Sequence, residues 1–206
     1  MSATGSARLR RFIADMTQLV GGAVQDRDED AIVEVGARLL ADLVRHDDWL
    51  PELAAQGPPH GYAQNLLWCD PLERFSVVSF VCASGALTPV HDHCVWGLVG
   101  MLRGSETSQA FVRDPASGRL SLGSLSVLAP GDVEVLRPSR GDIHQVSNVL
   151  KDRSSISINV YGGNIGAVRR HVYDSGTHEE RPFVSGYTNR VVPNFWDRST
   201  ETRGSD

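Results

Sequence analysis

The 206-residue sequence is short of several things. It has three cysteines, Cys69, Cys82 and Cys94, an odd number whose spacing fits no zinc site. Free thiols suit a reducing compartment, so a cytoplasmic location is expected. No apolar run approaches the ~18 residues of a membrane span. The stretch from Met1 to Arg11 lacks the apolar centre of a secretory signal. Positive charge is not in excess either. The formal net charge of −5 disfavours a nucleic acid or an anionic membrane held by bulk electrostatics. There is no internal repeat and no low-complexity block. The composition, 41% hydrophobic and 22% charged, is ordinary for a globular protein, and the length suits one domain with a real core.

The texture changes along the chain. Residues 1–60 read as helix. Leu9, Phe12, Ile13, Met16, Leu19 and Val20 recur at helical spacing over Arg8–Val20, and Ala31–Leu43 repeats the pattern. A third short helix is expected from about Pro51. Gly57-Pro-Pro-His-Gly61 then breaks the chain. Residues 61–190 read as short strands at regular spacing: Phe75–Cys82, Val90–Leu102, Glu106–Arg113, Leu120–Leu128, Val133–Leu136, Ile143–Val149 and Ser154–Tyr161. Turn clusters such as Asp114-Pro-Ala-Ser-Gly118 and Ala129-Pro-Gly131 separate them. The expectation is a mainly β fold, an antiparallel barrel or sandwich with N-terminal helices packed on it, in one domain over 1–206. Residues 191–206 are expected to form a tail, frayed after Arg198.

One segment carries chemistry. From Gly85 the chain reads G-x5-H-x-H-x3-G-x6-G, through His91, His93, Gly97 and Gly104. In a strand His91 and His93 would share a face, which makes half of a metal site. His144, in Gly141-x2-His144-x3-Asn148, would complete it. Histidines suit iron, zinc, copper or nickel. The common oxygenase site has two histidines and a carboxylate. In the first cupin motif, which this segment resembles, a glutamate stands at the position of Gly97. Asp92 should point to the opposite face from its neighbours, as a surface or supporting acid. His60, His171 and His178 read as structural or surface residues, and Trp96 as a packing residue near the site.

These two segments resemble the two cupin motifs, which implies a jelly-roll β-barrel with a metal inside. The run Thr88-Pro-Val-His-Asp-His-Cys-Val-Trp-Gly-Leu-Val-Gly-Met-Leu-Arg-Gly-Ser-Glu106 further resembles bacterial members of the cysteine dioxygenase family, a likeness extending from about Tyr62 to Tyr187. The resemblance implies an Fe(II) enzyme that binds a small thiol and O2 and makes a sulfinate. It implies no cysteine–tyrosine crosslink, because Gly97 occupies the cysteine position opposite Tyr161, and Cys94 is no substitute. Where the mammalian enzymes have Tyr-x-Arg-Asn, this chain has Tyr62-Ala-Gln64-Asn65. Loss of that arginine is the mark of the 3-mercaptopropionate dioxygenases. Those enzymes take the carboxylate with another arginine, on a segment that Tyr161-Gly-Gly-Asn-Ile-Gly-Ala-Val-Arg-Arg170 resembles, so the resemblance implies the anchor at Arg170, with Arg169 as the alternative. The chemistry agrees, since a guanidinium matches carboxylate geometry and a neutral amide brings no charge. The family's Ser-x-His-x-Tyr triad appears as Ser157-Ile-Asn159-Val-Tyr161. Asn159 can donate and accept hydrogen bonds but cannot titrate near neutral pH. The expected site is therefore His91, His93 and His144 for the metal, Tyr161, Ser157 and Asn159 for catalysis, and Arg170, Gln64 and Tyr62 around the substrate. Other readings are a cysteine dioxygenase, a non-oxidative zinc or nickel cupin, and a small-molecule sensor.

Overall fold

The structure is a computed structural model that describes residues 3–23 and 29–198. Two helices, α1 (Ala3–Ala23) and α2 (Glu29–Val44), come first. Leu9, Phe12, Ile13, Met16 and Val20 of α1 and Ile32, Val33, Leu40, Leu43 and Val44 of α2 are buried, as their spacing requires. Glu29 and Asp30 sit in the first turn of α2, where the helix dipole favours negative charge. The third helix expected from Pro51 is only a single 3₁₀ turn, Glu52–Ala55. The expected frayed segment after Arg198 lies outside the described residues.

Eleven strands follow among the described residues: β1 (Tyr62–Cys69), β2 (Ser76–Cys82), β3 (Val90–His91), β4 (Gly97–Arg103), β5 (Glu106–Arg113), β6 (Leu120–Leu128), β7 (Val133–Leu136), β8 (His144–Asn148), β9 (Ser155–Tyr161), β10 (Arg170–Tyr173) and β11 (Glu180–Phe183). All pairings are antiparallel, in a five-stranded sheet ordered β1-β2-β9-β4-β7 and a six-stranded sheet ordered β11-β10-β3-β8-β5-β6. The architecture is an antiparallel jelly roll of two sheets carrying two helices. Three strands, β1, β10 and β11, lie outside the runs expected from the sequence. The expected strand Val90–Leu102 is split: β3 ends at His91, and the chain leaves the sheet until Gly97.

The five-stranded sheet is buried on both faces. Val77 and Val81 of β2, Leu98 of β4, and Ile156, Ile158 and Val160 of β9 join both helices in one apolar core. Each such side chain, fully buried, contributes about 1.5–3 kcal/mol. α2 comes very close to β4. A methyl at Gly36 would lie 2.9 Å from Leu98 Cδ1, and one at Gly100 would lie 2.8 Å from Leu40 Cγ. The alternate residues Ser157, Asn159 and Tyr161 of β9, with Phe80 and Val99 beside them, face the interior between the sheets. β9 alternates polar and apolar as a strand should, but here the polar face points inward.

Candidate metal centre

His91, His93 and His144 converge on one point. Their ring centroids lie 4.9 Å (His91–His93), 4.8 Å (His91–His144) and 4.9 Å (His93–His144) apart, a nearly equilateral triangle. Their ring nitrogens form a compact group that could hold a metal ion, with no carboxylate in it. The route to this geometry differs from the expected one. His91 is the register partner of His144 across β3 and β8, so these two share a face through the ladder. His93 lies outside the strand and returns through a turn. Its amide donates to Asp142 Oδ2 at 2.8 Å, and the Cys94 amide donates to the same oxygen at 3.3 Å. Asp142 is buried and follows Gly141, whose φ of +85° suits a glycine. The sequence reading missed Asp142. Its only signal was its position two residues before His144.

The ring nitrogens are prepared for a metal. His91 Nδ1 lies 3.0 Å from the Pro89 carbonyl and His144 Nδ1 lies 2.9 Å from Ser108 Oγ, which leaves Nε2 of each for an ion. Neither nitrogen of fully buried His93 has a hydrogen-bond partner; Nδ1 lies 3.6 Å from Asp142 Oδ2. A buried polar atom without a partner is costly, and a bound cation would satisfy it. Burial, reinforced by the Arg170 charge, holds His91 down at about 4. Burial and neighbouring imidazoles push His93 and His144 well below the usual range. All three are neutral at pH 7, the state that binds metal.

The walls around the triangle contain most of the expected residues. Tyr62, Gln64, His91, Tyr161 and Arg170 line one cavity, and His91, His144, Glu106, Ser157, Asn159 and Tyr161 line the adjoining one. The Tyr161 ring stacks on His93 at 5.5 Å between centroids. Burial raises its phenol above the ordinary range, so it keeps its proton at neutral pH. Asn159 Nδ2 donates to Tyr161 Oη at 3.1 Å, while Asn159 Oδ1 is buried without a partner. Among the described residues no hydrogen bond continues that line to Ser157, which lines the cavity beside Glu106. A side-chain Cβ at Gly97 would lie 3.3 Å from Tyr161 Cδ1, so the glycine leaves the phenol face open.

Arg170 is buried, its Nε has no partner, and it forms no ion pair with a described carboxylate. One Nη donates to the Asp92 carbonyl at a long 3.5 Å, and the guanidinium lies 5.0 Å from the Phe183 ring centroid. Arg169 is exposed. Gln64 uses both hydrogens of its amide nitrogen, on Ser185 Oγ at 3.0 Å and the Gly186 carbonyl at 2.9 Å. Only its carbonyl remains for a ligand. Tyr62 stacks on Phe80 at 4.8 Å.

Of the two roles expected for Asp92, surface acid or supporting acid, its burial leaves the second. Asp92 is buried on the outer face of the six-stranded sheet, where it accepts from the His171 amide at 2.7 Å, His171 Nδ1 at 2.8 Å and the Tyr173 hydroxyl at 2.9 Å. His171 is therefore part of a charged cluster. Glu106, which the sequence reading passed over, is fully buried in the cavity wall. One carboxyl oxygen accepts from Ser155 Oγ at 2.7 Å and the other has no partner. Burial raises its pKa above the usual carboxylate value. Nothing in its sequence neighbourhood distinguished it from an ordinary strand-end glutamate.

Among described residues, no helix is long and apolar enough to cross a membrane. No protein-family model matches the chain. Solved structures with a similar fold include an uncharacterized conserved protein with a double-stranded β-helix domain from Klebsiella pneumoniae subsp. pneumoniae. It is 16% identical over 55% of this chain and 82% of that one, at a TM-score of 0.44. A cupin 2 conserved barrel domain protein from Rhodopseudomonas palustris is 14% identical over 57% and 71%, at 0.42. An oxalate oxidase in complex with the substrate analogue glycolate is 18% identical over 57% and 61%, at 0.43.

Proposed function

We propose that this protein is a mononuclear iron(II) thiol dioxygenase acting on a small carboxylated thiol, with 3-mercaptopropionate as the preferred substrate. The observation that carries the reading is a pattern of charge. Three neutral imidazoles converge without a carboxylate, and one of them, His91, lines a cavity together with buried Arg170, whose guanidinium has no carboxylate partner among the described residues. Iron(II) bound by three neutral ligands keeps its full positive charge and supplies thiolate binding and oxygen chemistry. Both atoms of O2 end on the substrate sulfur, which becomes a sulfinate.

The remaining roles belong to the chain. Arg170 binds the substrate carboxylate as a charge-assisted pair. A buried cation with no anionic partner is a poor end state and a good receptor. Gln64 holds the 185–186 loop with its amide hydrogens and so leaves the carboxylate to Arg170. The Tyr161 phenol, oriented by Asn159, presents a hydrogen-bond donor at the edge of the metal triangle. Tyr62 and Phe80 form an apolar wall against the carbon chain.

The test is oxygen consumption by iron-loaded protein with 3-mercaptopropionate, cysteine and cysteamine. Arg170→Ala should lower kcat/KM for 3-mercaptopropionate by about ten- to 150-fold, the equivalent of about 1.5–3 kcal/mol for a lost charged hydrogen bond. Cysteamine has no carboxylate and should be little affected. A higher kcat/KM for cysteine than for 3-mercaptopropionate would make the protein a cysteine dioxygenase. Oxygen uptake with none of the three thiols would favour a non-oxidative metal cupin.

A further inference from the structure

We propose a second metal site, built by Asp92, Cys94 and His171 on the outer face of the six-stranded sheet, that takes one thiophilic divalent cation such as zinc. It is separate from the histidine triangle. Along β10, Arg170 and Val172 face the interior, whereas His171 and Tyr173 face outward, and neither Cys94 nor His171 lines the inner cavities. The proposal does not depend on the dioxygenase reading.

The ligand set comes first. Cys94 Sγ lies 3.6 Å from Asp92 Oδ1 and 4.0 Å from His171 Nδ1, and His171 Nδ1 lies 2.8 Å from Asp92 Oδ2. Zinc bonds of about 2.3 Å to sulfur and about 2.0–2.2 Å to nitrogen and oxygen give tetrahedral edges of about 3.4–3.6 Å. The observed separations, 2.8 to 4.0 Å, fall on either side of that range, with the sulfur facing Oδ1 and the imidazole facing Oδ2 of Asp92. Thiolate, imidazole and carboxylate together favour zinc over magnesium or calcium.

The proton inventory fits a dication. In the structure the Cys94 thiol donates to Asp92 Oδ1, and His171 Nδ1 donates to the Asp92 carboxylate at Oδ2. A bound cation displaces the thiol proton to solvent. It also moves the imidazole proton from Nδ1 to Nε2. One dication, one thiolate and one carboxylate leave the site neutral, with one proton released. The displaced imidazole proton has an acceptor waiting. His171 Nε2 lies 3.4 Å from Glu180 Oε1, and Glu180 is itself paired with Arg113. A carboxylate behind a ligating histidine fixes its tautomer and strengthens it as a ligand. This carboxylate is an observation independent of the three ligands.

The backbone holds the ligands in place before any ion arrives. Cys94 has φ +58°, a left-handed conformation rare for a side-chain-bearing residue, and Asp142 clamps its amide. His171 is fixed by the β10 ladder and by its own amide bond to Asp92. Cys94 is exposed, so the fourth coordination position opens to water.

Cadmium titration of the full chain, followed by its thiolate-to-metal absorption band, tests the proposal, because histidine nitrogens alone give no such band. The band should saturate at one equivalent. It should vanish in Cys94→Ser and in His171→Ala, or in His171→Gln if the alanine variant does not fold. It should persist in His144→Ala, which disables only the inner triangle. Zinc should compete for the site, and Glu180→Gln should weaken zinc about tenfold or more. The proposal is overturned if the native chain shows no band. It is equally overturned if the band survives Cys94→Ser or loss of His171, or disappears in His144→Ala.

Discussion

Glu106 is an acid without a counter-ion in a cavity of neutral imidazoles. Its raised pKa has burial as the first cause, with the Ser155 and Ser157 hydroxyls acting against it. The linkage follows directly. Below the unfolded carboxyl value of 4.5, Glu106 is protonated in both states. As pH rises through that value, the unfolded chain ionises while the folded one holds its proton, so stability falls until the folded carboxyl also ionises. Glu106→Gln removes this loss. Denaturant unfolding at pH 5 and pH 8 should show the variant gaining on the native protein at the higher pH. Equal differences at both pH values would mean that the carboxyl ionises freely in the fold. Asn159 makes a separate prediction at this scale. Asn159→His would put an imidazole beside Tyr161 Oη, and, if the dioxygenase reading holds, the pH–rate profile should change between pH 5 and 8. Superimposable profiles would remove position 159 from the rate-determining chemistry. For the ligands, His144→Ala should lose most of the bound metal, measured by elemental analysis of the folded variant. Native metal content would take His144 out of the inner site.

At the scale of elements, the connection from β9 to β10 joins the two parts of the site, Tyr161 and Arg170. Its glycines are required by contact. A methyl at Gly162 would lie 2.3 Å from Trp96 Nε1, and one at Gly166 would lie 2.4 Å from Tyr187 Cε2. Trp96 thus packs as expected, directly on the backbone that leaves Tyr161. Gly162→Ala should cost about 1–3 kcal/mol by overpacking, read as a lowered denaturation midpoint. If the dioxygenase reading holds, the same change should raise KM more than it lowers kcat, since it shifts Arg170 against the metal ligands. An unchanged midpoint would show that Trp96 has room to move. The other decisive element is the break after β3. A strand carried through His93 and Cys94 would not bring the two amides to Asp142, and it would leave Cys94 in extended rather than left-handed backbone.

Across the whole molecule, α1 and α2 shield the outer face of the five-stranded sheet. Leu40 is fully buried against β4, over Gly100. Leu40→Ala should cost about 2–5 kcal/mol, measured by denaturant unfolding. It should leave the metal content of the folded fraction unchanged, because Leu40 lies on the far side of β4 from the cavity. Loss of metal in that fraction would mean that the helices also set the position of the histidines.

Much was legible in the sequence because it depends on local period and spacing. Helical spacing located both helices, and strand runs with their turns located β2 and β5 through β9 almost to the residue, whereas β3 and β4 were read as one run. The distances G-x5-H-x-H and G-x2-H named three histidines that the fold then gathered. Other features required long-range contacts. β10 and β11 are four residues each and carry little pattern of their own; they exist because β3 and β10 offer edges to pair with. The direction of β9 was also undecided locally. Alternation says that Ser157, Asn159 and Tyr161 share a face, but only the helices packed on Ile156, Ile158 and Val160 send the polar face inward. Asp92, Glu106 and Asp142 were ambiguous for the same reason. A carboxylate's role depends on what surrounds it, and its surroundings come from residues tens of positions away. Sequence spacing determined which groups were available for metal chemistry. Tertiary packing decided which were desolvated and which carried an unmatched charge, because burial is a property of the assembled sheets and helices rather than of any one segment.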